Sequence, residues 1–170
     1  LNGIEMPNKN NSHLDKIDRK ILRELQINSR ISNVELSKKV GLSATPCINR
    51  TKRLEKIGCI EHYTIKINPD FVDAKLLAFV ELRLDRTSRN VFSNFRTVVR
   101  KLPEIMECHL VSGDYDYLLK ARVKDMHAYR KLLGETLLAL PHVNSSRSYI
   151  VMEEVKDSEM IFIPELAELD

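Results

Sequence analysis

The chain has no tryptophan, only three cysteines and five glycines in 170 residues, and no long apolar run. Each scarcity removes a class of protein. The longest unbroken apolar stretch, Leu76 to Val80, spans five residues, whereas a membrane-crossing helix needs about 20; no such helix is expected. Cys47, Cys59 and Cys108 are too few and too scattered for a disulfide framework. The glycines form no phosphate-cradling loop. The first thirteen residues are polar and lack the apolar stretch of a secretory leader. Together these absences lead to the expectation of a cytoplasmic protein with no metal and no cofactor.

Catalytic constellations are missing too. His13, His62, His109, His127 and His142 stand apart, and none recurs at a zinc-ligand spacing. Cys108 and His109 are neighbours in a β-rich segment, so their side chains point to opposite faces and cannot act as a nucleophile–base pair. An enzyme is not expected.

The charge is unevenly spread. Residues 1–70 carry 13 Lys and Arg against 8 Asp and Glu, net +5, and residues 71–170 carry 14 against 16, net −2. A basic first half and a mildly acidic second half suggest two tasks on one chain.

The apolar rhythm agrees. Asp15 is a plausible N-cap for a helix carrying Ile17, Ile21, Leu22 and Leu25 at helical spacing. Ser32 and Glu35 form a capping-box pattern for a second, short helix that Gly41 stops. Ser43 is placed to cap a third helix, with Pro46 in its first turn and Gly58 beyond its end. Cys59 to Ile67 reads as a two-stranded appendage. From Leu76 the pattern changes to a strand over 76–84, a helix over 89–102, strands over 105–112 and 115–123 joined by a tight turn at Gly113-Asp114, a helix over 126–140 and a strand over 143–155. This βαββαβ order is that of a ferredoxin-like unit. The expected fold is therefore α+β: a disordered extension over 1–13, a winged helix-turn-helix over 14–67, a linker over 68–75, a ferredoxin-like (RAM/ACT-like) domain over 76–156 and a tail over 157–170, with an edge strand at 160–163.

At 100° per residue, Cys47, Thr51 and Leu54 share the packed side of the third helix. Thr45, Asn49, Lys52, Arg53 and Lys56 share the far side. Asn pairs bidentately with adenine, Thr touches a thymine methyl, and Arg or Lys reaches guanine or phosphate. Double-stranded DNA is thus the expected partner, read by Ser43, Thr45, Asn49, Lys52, Arg53 and Lys56. Lys38, with Arg30, Lys39 and His62, would contact the phosphate backbone. RNA binding by the βαββαβ unit is not expected, because its third strand, beginning Tyr115-Asp116-Tyr117, lacks the Gly-aromatic stacking motif.

The stretches VELSKKVGLS, TPC, VSGDYDYLL and RKLLGETLLALP carry a further signal. Over about residues 14–156 the chain resembles the Lrp/AsnC ("feast/famine") family of transcription regulators. The resemblance implies a DNA-binding first domain and an amino-acid-responsive second domain. It also implies homodimers that assemble into tetramers or octamers, bending or wrapping DNA, and a nucleoid-associated location. The effector would bind between paired domains, which by position points to Gly113, Asp114, Tyr115, Asp116, Met126, Thr136, Tyr149 and Ile150. The residues themselves are consistent with this. Asp114 and Asp116 could hold an ammonium, and Leu110, Leu137 and Val151 could seat an aliphatic side chain, so leucine or methionine is expected before any charged amino acid. On the open sheet face Phe79, Ile105, Val111, Leu118, Tyr149 and Val151 would need a partner copy to cover them. The alternative is an oligomeric, ligand-sensing architectural protein with little sequence preference.

Overall fold

The structure, a computed structural model, describes residues 14–85, 90–140 and 142–165; the expected extension over 1–13 lies outside them. The chain divides into two units. One holds the described residues up to Lys66 and from Ser158 onward, and the other runs from Ile67 to Asp157.

In the first unit, α1 (Lys16–Ile27) begins at a reciprocal cap made by two aspartates. Asp15 Oδ1 accepts the Asp18 N–H at 2.8 Å, and Asp18 Oδ2 accepts the Asp15 N–H at 3.2 Å. The Ser32–Glu35 capping box forms as the sequence predicts and starts α2 (Asn33–Val40). Gly41 then adopts φ 75°, a left-handed conformation that costs a residue with a Cβ about 1–2 kcal/mol. This lets the Leu42 N–H close onto the Ser37 carbonyl at 2.9 Å. Ser43 occupies the N-cap position of α3 (Ala44–Lys56), but its side chain makes no cap hydrogen bond. Ile21 from α1, Leu36 and Val40 from α2, and Cys47 and Leu54 from α3 are completely buried against one another. Burial on that scale stabilises by about 1.5–3 kcal/mol for each large aliphatic side chain, which fixes α3 to the two helices before it.

Two expectations about the edges of this unit fail. Residues 59–67 form no two-stranded wing; they carry no ladder, and apart from Ile60, half-buried against the helices, they are exposed. CIEHYTIKI holds one alternating run and no Gly or Asn-Gly turn, so nothing folds it back on itself. Residues 160–163 pair with no strand and so are not an edge strand. Their backbone bonds instead to side chains on α1. The Gln26 amide donates to the Ile161 carbonyl at 3.0 Å and accepts the Ile161 N–H at 2.7 Å, while Arg23 Nη1 donates to the Ile163 carbonyl at 3.3 Å.

In the second unit a 3-10 turn at Pro69–Val72 precedes β1 (Leu76–Leu84), α4 (Val91–Val99), β2 (Ile105–Leu110), β3 (Tyr117–Val123), α5 (Met126–Lys131) and β4 (Val143–Ile150). The antiparallel sheet has the order β2-β3-β1-β4, as a βαββαβ unit requires. Ala78, Val80, Leu82 and Leu84 of β1 and Tyr117, Leu119, Ala121 and Val123 of β3 face the helices, where Val91, Phe95, Val99, Tyr129, Leu132 and Leu137 cover them. The helix expected over 126–140 is α-helical only to Lys131 and continues as a π-helical turn, Leu132–Leu137. The last strand ends at Ile150 rather than 155: its register with β1 stops at Ala78–Ile150, followed by one further bond from the Val151 N–H to the Leu77 carbonyl at 3.0 Å. The expected start of α4 at 89 and the Pro141 stop lie outside the described residues.

The open sheet face is less apolar than its alternation suggests. A register shift between Ile105 and Glu107 turns Ile105 toward the core, opposite Ala121. Phe79, Leu118 and Tyr149 remain on the open face, interleaved with Glu81, Arg83, Glu107, His109, Lys120, Arg122 and Arg147. Several of these are paired: Lys120 and His109 each lie 3.0 Å from Glu107, and Tyr149 donates to Glu81 at 2.9 Å. Lys120 and His109 hold the Glu107 carboxyl below its ordinary value, the hydrogen bond from His109 contributing most.

Candidate DNA-reading helix and effector site

Ser43 at the N-cap of α3, Thr45, Asn49, Lys52 and Lys56 on the helix, and Lys38 on α2 are exposed. Thr45, Asn49, Lys52 and Lys56 lie three to four residues apart, so they form one stripe on the side away from buried Cys47 and Leu54. The stripe has hydrogen-bonding groups first and cations toward its C-terminal end, a combination that can address both base edges and phosphates. Lys39 is spent locally, 2.6 Å from Glu24.

Arg53 departs from the expectation. Its guanidinium turns toward α1 and meets Asp18 Oδ2 at 2.5 Å, while Arg50 Nη1 donates to Asp18 Oδ1 at 2.9 Å and to Asp15 Oδ2 at 2.6 Å. The cause is Asp18, only 1% exposed. A carboxylate that deep is costly unless cations and hydrogen bonds compensate it. The two arginines supply that compensation, and their hydrogen bonds to Asp15 and Asp18 raise the Arg50 pKa. Burial pushes the Asp15 carboxyl up, but the Asp18 N–H and Arg50 outweigh it and hold the group below its ordinary value. The five residues Asp15, Asp18, Asn49, Arg50 and Arg53 line an open cleft of about 430 Å³. An acidic residue at a helix start ordinarily reads as a cap alone, so the sequence carries no local sign of this cluster.

The proposed effector residues are not gathered in one place. Gly113, at φ 148°, and Asp114 are exposed in the loop 111–116, which the Val111 N–H closes onto the Asp116 carbonyl at 3.0 Å. The loop is longer than the expected tight turn. Tyr115 is half-buried, Leu110 and Met126 are exposed, and Tyr149 is tied to Glu81. Ile150 and Val151 are half-buried, with Ile150 packed on the core. Two assignments are corrected. Asp116 is 5% exposed and its Oδ2 accepts the Leu84 N–H at 2.8 Å, so this carboxylate anchors the end of β1 instead of facing a ligand. Leu137 is fully buried in the core and cannot seat an effector side chain.

Thr136 lies at the other end of the unit. It shares a cleft of about 400 Å³ with Asp73, Arg122, Lys124, Lys131 and Leu132. Five residues of β3, Tyr117 to Ala121, lie between the 111–116 loop and Arg122, roughly 20 Å from the end of the loop at the rise of a strand. Thr136 and Gly113 therefore cannot grip one small molecule within a single chain.

Both units match known families. The AsnC-type helix-turn-helix domain matches residues 14–55, and the Lrp/AsnC ligand binding domain matches residues 77–161. The chain belongs to the Lrp/AsnC family. It is 61% identical over 163 residues to the leucine-responsive regulatory protein of Serratia marcescens, covering 96% of this chain and 98% of that one. It is 64% identical over 150 residues to the protein of the same name from Escherichia coli K12, covering 88% and 92%. Among solved structures, a transcriptional regulator from Neisseria meningitidis in complex with L-Met superposes with a TM-score of 0.84 at 38% identity, covering 87% of this chain and 96% of that one.

This Lrp/AsnC protein is thus a DNA-binding transcription regulator responsive to an amino acid. No helix among the described residues is long and apolar enough to cross a membrane. Arg83 escaped the sequence reading: from the open face of β1, its Nε donates to the Asp114 carbonyl at 2.8 Å and its Nη2 makes a second bond to the same oxygen. It pins the loop that carries Gly113. Strict alternation along β1 places Arg83 on that face, but the 31-residue separation from Asp114 hid the contact.

Proposed function

We propose that this protein is a sequence-specific cytoplasmic transcription regulator that reads duplex DNA with α3 and senses an apolar amino acid, leucine or methionine first, as a homodimer or higher assembly. The observation that carries the reading is the exposed Thr45–Asn49–Lys52–Lys56 stripe on a helix whose opposite side is locked in the core. Asn49 and Thr45 contact bases, while Lys52, Lys56, Ser43 and Lys38 position the helix on phosphates. Relatives named leucine-responsive regulatory proteins, and the L-Met complex of the Neisseria regulator, favour an aliphatic or thioether effector.

The effector site lies between subunits. The position of Thr136 beside Arg122, at the end of β3 away from the Gly113–Asp114 loop, supports this, since a second chain is needed to bring such elements together. Phe79, Leu118 and Tyr149 give the open sheet face an apolar centre for that pairing, surrounded by charges that set its register. Binding therefore shifts assembly, or its coupling to DNA, by no more than the effector's differential affinity for the states involved. Dimers on DNA require half-sites spaced by whole helical turns, and larger assemblies bend or wrap the duplex.

Gel shifts across a salt series test the DNA reading. Asn49→Ala weakens selected operator sites by about 1–3 kcal/mol and leaves random duplex nearly unaffected, whereas Lys38→Ala weakens every sequence alike and flattens the salt slope. Equal losses on operator and random DNA for both variants would instead favour an architectural protein with little sequence preference. Light scattering at the monomer mass of 19.7 kDa would refute the assembly.

A further inference from the structure

The four cations of α3 are treated in two ways. Lys52 and Lys56 are exposed on the DNA-reading side, whereas Arg50 and Arg53 are drawn onto carboxylates of α1. Arg50 Nη1 bridges two carboxylates, Asp15 Oδ2 at 2.6 Å and Asp18 Oδ1 at 2.9 Å, and Asp15 is the closer partner and the one at the surface. Asp18 is sealed in, but the Asp15 side chain is about half exposed. It lines the same cleft as Asn49, the residue assigned to base reading. A negative charge beside a DNA-reading residue opposes a polyanion, and a cap alone does not require it, because Asn caps a helix as well as Asp.

We propose that Asp15 and Asp18 mask Arg50 and Arg53 from the phosphate backbone and so set the strength of sequence-independent binding. The mask keeps the sequence-independent part of binding small, which limits the time spent on the many competing non-specific sites. Phosphate contacts raise affinity for every sequence equally. Two more of them would tighten non-specific binding as much as specific binding and lengthen residence on the wrong sites. The inference rests on α3 being the DNA-facing helix. That premise is tested separately by Asn49→Ala, whose failure to reduce operator preference would sink it without involving the aspartates.

The test is a fluorescence-anisotropy titration of the full chain on random duplex and on a selected operator between about 50 and 200 mM salt. Asp15→Asn keeps an N-cap acceptor and removes the charge. It is expected to bind random duplex more tightly at low salt and to steepen the salt slope by about 0.9, one phosphate contact. Binding to both duplexes then falls roughly 3.5-fold further across that salt range than in the wild type, and the operator-to-random ratio stays as it was. Asp15→Asn combined with Arg50→Gln returns the slope to the wild-type value. Arg50→Gln alone leaves the slope unchanged, and this arm decides the matter even if the aspartate variant does not fold. An unchanged or shallower slope in Asp15→Asn overturns the proposal. So does a gain that persists in the double variant, which would be Asp15's own repulsion, or a slope lowered by about 0.9 in Arg50→Gln alone, which would mean that Arg50 already touches phosphate.

Discussion

Asp116 sits within the loop that the family resemblance assigns to the effector, yet the structure gives it a different task. Its Oδ2 accepts the buried Leu84 N–H at 2.8 Å, its own N–H donates to the Leu82 carbonyl at 2.9 Å, and its carbonyl accepts the Val111 N–H at 3.0 Å. The side chain thus joins the end of β1 to the start of β3. Asp116→Ala removes the charged acceptor and strands a buried amide, a loss of about 1.5–3 kcal/mol. For a unit of the size of Ile67–Asp157, each kcal/mol lowers the melting temperature by about 4–8 °C, so a fall of roughly 6–24 °C is expected. Asp116→Asn keeps an acceptor without the charge and should lose about half as much. Circular-dichroism melts of the full chain measure both. Calorimetry at a temperature where Asp116→Asn is folded should find leucine or methionine bound as in the wild type. An Asp116→Ala protein that melts like the wild type but no longer binds effector would refute the reasoning and restore Asp116 as a ligand group.

Three further outcomes follow from the same structure. Gly41→Ala forces a Cβ into a φ of 75° with no neighbouring atom within 4 Å, so its cost is purely backbone, about 1–2 kcal/mol by urea unfolding; a neutral change would contradict the left-handed stop. Leu137→Ala should lose about 2–5 kcal/mol as a core truncation while the folded fraction still binds effector, and a stable variant with abolished binding would reverse that assignment. The folded Asp15 carboxyl lies below its unfolded value, so its stabilisation is complete above the unfolded pKa and is lost as pH falls through the folded one. The stability difference between wild type and Asp15→Asn should be level from about pH 7 to about pH 5 and shrink below about pH 4; a constant difference across that range would contradict the pairing.

What could be read from the sequence was local. Ser32 and Glu35 are three residues apart and Gly41 follows directly, so the start and stop of α2 needed no tertiary information. The apolar stripes of α1 and α4 and the alternation of β1 were equally plain. What was missed depends on partners far along the chain. Arg53 sits at the right angle on α3 to face DNA, and only the buried Asp18, 35 residues earlier, turns it inward. Asp116 has the composition of a solvated turn residue until Leu84, 32 residues away, presents its N–H. The shift at Ile105–Glu107 moved one apolar residue from the open face to the core, and no residue type there announces it. The proposed site residues Gly113, Asp114 and Thr136 were chosen by resemblance, and the distance between them becomes apparent only once β3 is laid out between them.

The most direct test of the account is a pair of binding isotherms for the full chain, on a selected operator and on random duplex of equal length at one salt concentration, each with and without saturating leucine or methionine. The account predicts operator binding tighter by at least about 10³, with an effector-dependent change in apparent affinity or in the stoichiometry of the complex. Equal affinity for the two duplexes, or isotherms that no amino acid moves, would contradict it.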